Sequence, residues 1–235
     1  MIHLRLLAPV SLLSAAVLAL LAGCTSPGLT DPARVGPFHT PTNVARDATL
    51  GGIRRVVMLP VWTGTSAPEE TGADLDPVFR QALQDQNRFE VVVLPRAECL
   101  RRFGAVALSS SSALPHDFLP AMQRIFGADA VVFVDITVYR PYHPLAIGVR
   151  SRLATVKSTR LVWTFDNLFS ADDARVAASA RNFFLQSEHG GVPGDLTPSV
   201  LQSPSRFAAY AAAATFATLP PVTVESGEEA PPGRR

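Results

Sequence analysis

The feature that most constrains this chain is the apolar run at residues 130–139, AVVFVDITVY, in which β-branched and aromatic side chains predominate. Successive side chains of a strand point to opposite faces, so Val132, Val134, Ile136 and Val138 would share one face. That face is wholly apolar, and the other carries further apolar residues. The pattern therefore predicts a long strand buried between two layers of structure.

Shorter strand-like runs alternate with helical patterns across residues 53–219. The additional strands are predicted at residues 53–60, 89–94, 145–156 and 159–168. The helices are predicted at residues 76–87, 96–103, 117–126, 170–185 and from 203 onward, the first with Asp76 as N-cap and Pro77 at the first helical position. Helical crossovers make the first three strands parallel, and short turns make the last ones antiparallel. The fold class is thus α/β (α+β), a single layered domain with a mixed, mainly five-stranded sheet flanked by helices.

The amino terminus, residues 1–23, has the organisation of a secretory signal peptide. Arg5 precedes an apolar run at residues 6–21, which is shorter than the roughly 20 residues of a permanent transmembrane helix. Residues 21–24, Leu-Ala-Gly-Cys, resemble the lipobox of bacterial lipoproteins, whose cysteine thiol accepts a diacylglycerol. We therefore expect lipidation at Cys24, with a plain secreted protein as the alternative. Thr25 is not the Asp that retains some lipoproteins on the inner membrane, which favours an outer-membrane anchor facing the periplasm.

Two further segments have a non-globular composition. Residues 24–52 carry Pro27, Pro32, Pro37 and Pro41 without sustained apolar periodicity, so we expect a tether. Residues 220–235 are rich in Pro and Glu and are expected to form a disordered tail. The globular domain is therefore assigned to residues 53–219.

Charge and cysteine content exclude some classes of function. A formal net charge of +1 argues against a nucleic-acid reader, because binding phosphates requires clustered excess cations. With Cys24 lipidated, Cys99 is the remaining one of the two cysteines, so an intramolecular disulfide cannot form. Cys99 is expected to be a buried structural thiol.

No catalytic motif stands out. The sequence has no Gly-x-Ser-x-Gly elbow, no His-Glu-x-x-His, no paired cysteines and no phosphate-binding Gly-Lys-Ser loop, so no catalytic residue, metal or cofactor is predicted. The loop at residues 189–195, HGGVPGD, could cradle an anion but is typical of an ordinary loop.

Three acids of the predicted sheet have sequence contexts that indicate structural roles rather than chemistry. Asp135 lies within the long strand, and Arg150 and Arg152 share a face of the next one, which predicts a cross-strand ion pair. Asp166 is interpreted as a surface acid, and Asp129 as a cap for the turn into its strand.

The connection at residues 139–144, YRPYHP, is the candidate binding surface. It places Tyr139, Arg140, Tyr142 and His143 beside two prolines, and rings and guanidinium groups are enriched in binding hot spots. The alternative is a rigid turn packed by its own rings.

The order of these elements resembles a known superfamily. The segments are, in order, IRRVVMLP, a helix, FEVVVLP, a helix ending in IFGADAVVFVDI, and a strand pair closing on STRLVWTF. They are similar to a domain that is found in three groups of proteins. These are the curli secretion-channel lipoproteins, the penicillin-binding-protein activator lipoproteins, and the amino-terminal domain of the Tol-system β-propeller protein. The resemblance covers residues 53 to about 185, and Gly127-Ala128-Asp129-Ala130 before the long strand is its most specific piece.

The resemblance implies an envelope protein without catalysis, although two family features are missing. Residues 53–219 contain no long inserted hairpins of the kind that build the curli channel, and the tether is short for a protein that reaches through peptidoglycan. The sequence therefore favours a non-catalytic lipoprotein of the bacterial envelope that acts as an adaptor, binding the membrane through its lipid and other envelope proteins through its surface. The alternative is an envelope enzyme or small-ligand receptor.

Overall fold

A single sheet of six strands organises the molecule. The computed structural model describes residues 31–187 and 197–222. The strands are β1 (Val44–Arg46), β2 (Arg55–Met58), β3 (Glu90–Val93), β4 (Ala130–Arg140), β5 (Ala146–Thr155) and β6 (Leu161–Ser170), in the sheet order β1-β6-β5-β4-β2-β3. The pairs β2–β3 and β2–β4 are parallel, and the other three pairs are antiparallel. The mixed sheet predicted from the sequence is confirmed, with one strand more than expected.

Helices cover the sheet on both faces. They are α1 (Pro32–Val35), α2 (Glu69–Gln84), α3 (Arg96–Phe103), α4 (Phe118–Phe126), α5 (Ala174–Ser187) and α6 (Pro204–Phe216), with a 3-10 helix at Thr197–Gln202. Val56 and Met58 of β2 pack with α2, α5 and α6, while Val57 packs with α3 and α4. Apolar side chains on both faces of the central strands are thus buried, which accounts for their nearly continuous apolar runs.

The inner part of β4 is buried as its sequence predicts, but its outer part is not. Val132, Val134 and Ile136 are at most 1% exposed, whereas Val138 is 41% exposed. The pairing of β4 with β5 shifts register between Ile136 and Val138, so Thr137 is an extra residue in β4. A bulge of this kind reverses the alternation beyond it, which is why Val138 does not share the face of Val134.

Helix α2 begins earlier than the sequence indicates. Asp76 and Pro77 lie inside it rather than at its start. The Asp76 carboxylate accepts a hydrogen bond from the Val61 backbone N–H at 2.7 Å and forms an ion pair with Arg96 at 2.6 Å. Gly72 packs in the first turns of α2, where an added Cβ would lie 2.9 Å from the Val61 carbonyl oxygen. Because a glycine occupies this position, the sequence of the first turns shows no apolar stripe.

The segment expected to be a tether is structured over the part that the structure describes. Residues 31–52 contain α1 and β1, and Val44–Arg46 pairs antiparallel with the outer edge of β6. Ala33 is fully buried, and Leu50 is 1% exposed. Backbone pairing with an open sheet edge requires no apolar periodicity, which explains why the composition did not predict it.

The start of the expected tail is also bound to the domain. The Pro220 carbonyl accepts a hydrogen bond from the Arg88 guanidinium, and the Pro221 carbonyl accepts one from the Leu50 N–H at 2.9 Å. The signal peptide, Cys24, the loop at residues 189–195 and the rest of the tail, residues 223–235, lie outside the described residues.

Candidate functional site

The residues singled out in the connection at residues 139–144 lie together where β4 passes into β5. Tyr139 is half-buried and packs against the core on the sheet face that α2, α5 and α6 cover. Burial raises the pKa of its hydroxyl, and the negative charge of Asp74 raises it further. Tyr139 thus anchors the connection, while Arg140, Tyr142 and His143 point into solvent, Tyr142 being 80% exposed.

Two exposed apolar side chains continue this surface across the sheet, and sequence reasoning missed the arrangement. Val138 is opposite Gly148 of β5, and Gly148 is opposite Leu168 of β6. Opposed residues of antiparallel strands share a face. Val138 and Leu168 are 41% and 51% exposed and flank the glycine. We call Val138, Arg140, Tyr142, His143 and Leu168 the β4–β5 surface.

Gly148 is required for this geometry. An added Cβ would lie 2.5 Å from the Thr137 Oγ1 and 3.0 Å from the Val138 nitrogen, because the bulge brings β4 close to β5 at this point. The ion pair between Arg140 and Asp172 is long, at 3.9 Å, and exposed, so it constrains the guanidinium little. The surface therefore has a closely packed base at Gly148 and exposed polar groups beside it.

Asp135 does not pair with an arginine, contrary to the prediction. Its carboxylate is 1% exposed and accepts hydrogen bonds from the Ser109 Oγ at 2.9 Å, the Ser110 Oγ at 2.8 Å and the Ser110 N–H at 3.0 Å. The serine run at residues 109–112, interpreted from the sequence as a linker, is therefore what stabilises this buried charge. The signal that could have indicated this contact is a run of serines upstream of a strand that carries a single acid.

The arginines bind elsewhere. The Arg150 Nε donates to Asp166 at 2.7 Å, directly across β5 and β6, so Asp166 is paired rather than simply a surface acid. The Arg152 Nη1 donates to the Ser110 carbonyl at 2.7 Å. Serine donors can surround a buried carboxylate without burying a second charge, while Arg150 and Asp166 stay partly hydrated.

Asp129 and Cys99 have structural roles. The Asp129 carboxylate accepts hydrogen bonds from the Arg54 and Arg55 N–H groups at 3.0 and 3.1 Å, so it holds the start of β2 rather than the turn into its own strand. Cys99 is a free thiol that is fully buried, as predicted. Burial raises the pKa of the Cys99 thiol to about 11, against a smaller opposing effect of Arg96.

A crevice lies at the carboxyl ends of β2 and β3, where α2 and α3 depart to opposite faces of the sheet. Its volume is about 320 Å³, and its lining includes Trp62, Glu69, Arg96 and Leu100. Arg96 is held by Asp76 and by the Val61 carbonyl at 2.7 Å. Open α/β sheets commonly bind ligands at such switch points.

The described part of the chain holds neither a metal-binding cluster nor a membrane-spanning helix. Residues 31–187 and 197–222 contain no cluster of three or more His, Cys, Asp or Glu side chains that could hold a metal ion. Over the same residues, no helix is both long and apolar enough to cross a bilayer.

The comparisons with known proteins concern the fold. No family model and no curated protein matches the chain. The PelC dodecamer from Paraburkholderia phytofirmans is 13% identical over 71% of this chain and 93% of that chain, with a TM-score of 0.39. The LpoB C-terminal domain from Escherichia coli is 16% identical over 49% and 81%, with a TM-score of 0.36. TolB from Acinetobacter baumannii is 16% identical over 66% and 33%, with a TM-score of 0.32.

These likenesses, including those to LpoB and TolB, concern the fold alone. At these identities and TM-scores they carry no argument about what this protein does.

Proposed function

We propose that this protein is a non-catalytic lipoprotein of the bacterial cell envelope. It is anchored through Cys24 in the outer membrane, faces the periplasm, and acts as an adaptor that binds another envelope protein through the β4–β5 surface. The anchor is supported by the signal peptide and by the Leu-Ala-Gly-Cys sequence at residues 21–24. The net charge of +1 makes nucleic acid an unsuitable partner.

The exposure of Tyr142 on a rigid connection is the observation that carries the adaptor role. A ring that is 80% exposed contributes little to the fold, yet it offers a large contact area that loses few degrees of freedom on binding. Arg140 beside it presents planar donors suited to carboxylates or carbonyl oxygens. Val138 and Leu168 add apolar area on the same sheet face. This combination of ring, guanidinium and apolar residues is typical of protein interfaces.

The positions of the titratable groups favour binding over chemistry at this surface. His143 is exposed at the tip of the connection, whereas Asp135 is buried beneath the serine run at residues 109–112. Asp166 is engaged by Arg150 at 2.7 Å. A histidine and a carboxylate that act together need to be within hydrogen-bond reach, and neither acid is available to His143 in this way.

The test is the double substitution Tyr142→Ala with Arg140→Ala. Truncating a hot spot costs about 2 kcal/mol or more, which is a thirtyfold loss of affinity, while exposed residues change stability by less than about 0.5 kcal/mol. We expect the partner recovered by affinity capture from membranes to be lost and the Tm to be unchanged.

The matched control is Arg160→Ala with Leu161→Ala at the start of β6, where an exposed arginine and leucine lie outside both the β4–β5 surface and the crevice. The control should retain the partner. A lower Tm with the partner retained in the Tyr142 variant would mean that the connection only packs its own turn.

A small-ligand receptor is the second candidate, and the crevice beside Arg96 is the observation that favours it. Its place at a topological switch point is where such folds bind small molecules. Leu100→Trp would fill the crevice from its exposed rim. If envelope extracts raise the Tm of the wild type but not of this variant, the receptor role gains over the adaptor role.

A further inference from the structure

The chain that follows the predicted anchor is fastened to α5. Asp31 forms a two-pronged ion pair with Arg181, with both oxygen to nitrogen distances at 2.9 Å. The Asn182 side-chain amide donates to the Ala33 carbonyl at 2.7 Å, and the His39 N–H donates to the Ser179 Oγ at 2.7 Å. The Asp31 and Arg181 side chains are only 18% and 20% exposed. The described chain is therefore fastened to α5 from Asp31 onward.

The sequence distance from Cys24 to Asp31 limits how far the domain can stand from its membrane. Residues 25–30 lie between them. Even a fully extended chain of this length spans at most about 25 Å. That is less than the diameter of a small domain, so the face that carries Asp31 is held next to the bilayer.

The same face exposes two apolar side chains and a cation. Val35 is 62% exposed and Phe38 is 43% exposed, and Arg34 within α1 is exposed as well. Gly36, at a φ of +79°, ends α1, and the Phe38 ring packs close to it, so Val35 and Phe38 lie on one tight turn. Asp31 is the one acid in residues 31–40, and its charge is neutralised by Arg181.

We infer that Arg34, Val35 and Phe38, the N-terminal surface, rest on the lipid bilayer that holds the acyl chains of Cys24. Apolar side chains and a nearby cation suit the boundary between acyl chains and anionic headgroups. This inference rests on the proposed lipid anchor, and it adds a defined orientation to it.

The experiment has to measure orientation, because the acyl chains alone hold the protein on vesicles whether or not Val35 touches lipid. The lipidated mature protein is placed in phosphatidylethanolamine and phosphatidylglycerol vesicles with a nitroxide label on Val35→Cys. Cys24 is acylated, and Cys99 is buried with a raised pKa, so neither competes for the label. The matched control is Leu100→Cys, which is 50% exposed on α3, across the sheet from α5.

Collision rates of the label with oxygen, which concentrates in lipid, and with a water-soluble nickel complex give its depth. We expect oxygen collisions at position 35 to exceed nickel collisions several-fold, and the reverse at position 100. If the labels at positions 35 and 100 both collide freely with nickel in acylated protein, the contact of the N-terminal surface with lipid is refuted and the anchor stands. A label at position 35 shielded from both reagents would also overturn it and indicate a second copy of the chain there. An unacylated Cys24 by mass spectrometry would refute the anchor and this orientation together.

Discussion

The two halves of β4 differ sharply in burial. From Ala130 to Ile136 every side chain is buried, while Val138 and Arg140 beyond the bulge are exposed. One strand thus builds the core at one end and presents a surface at the other. A single inserted residue at Thr137, with Gly148 opposite Val138 beside it, is thus enough to turn a core strand outward into an exposed surface.

Aspartate substitutions in the two halves should have the largest and most unequal effects. Val134→Asp buries an unpaired carboxylate, which costs several kcal/mol against a total stability of about 5–15 kcal/mol, so folding should be lost. Val138→Asp should fold normally, because that position is 41% exposed. Circular dichroism and thermal melting would distinguish the two, and equal destabilisation would contradict the division of β4.

Gly148→Ala should destabilise the bulge that separates the two halves of β4. The added Cβ would lie 2.5 Å from the Thr137 Oγ1 and close to backbone, so we expect a loss of about 1–3 kcal/mol. Gly51→Ala is the control, since its nearest neighbour would be 3.8 Å away. Urea titration of both variants measures the effect. Unchanged stability for Gly148→Ala would mean that the bulge relaxes without cost.

A smaller effect is expected at the serine run of residues 109–112, which covers Asp135 in the inner half of β4. Ser110→Ala removes the 2.8 Å hydrogen bond to the Asp135 carboxylate and should cost about 1 kcal/mol. Ser112→Ala, on the exposed part of the same run, should be neutral within error. If both variants melt alike, the serine run does not stabilise Asp135.

The sequence predicts the inner half of β4 well because burial on two faces leaves a pattern that is independent of the rest of the chain. Val132, Val134 and Ile136 need only be apolar, and their neighbours supply the layer. The bulge at Thr137 leaves no such pattern, since Thr and Val suit either face of a strand.

The errors share one physical cause, which is that specific partners are set by tertiary contacts. Asp135 could pair with Arg150 by spacing alone, yet Ser109 and Ser110 arrive from a distant loop. Asp76 has the local signature of an N-cap but binds Arg96, which lies 20 residues away. The β1 strand joins the sheet through its backbone, which composition does not reveal. The grouping of Tyr139, Arg140, Tyr142 and His143 was predictable because one short connection holds them all.

Site-specific photo-crosslinking in intact cells tests the central claim most directly. A photoreactive amino acid replaces Tyr142 in one strain and Leu161 in another, the latter being 46% exposed and lying at the turn of the β5–β6 hairpin, at the opposite end of β5. The account predicts that position 142 gives a discrete adduct with a single envelope protein and that position 161 does not. No adduct from position 142, or the same products from both positions, would contradict the claim that the outer half of β4 and its connection form the binding surface.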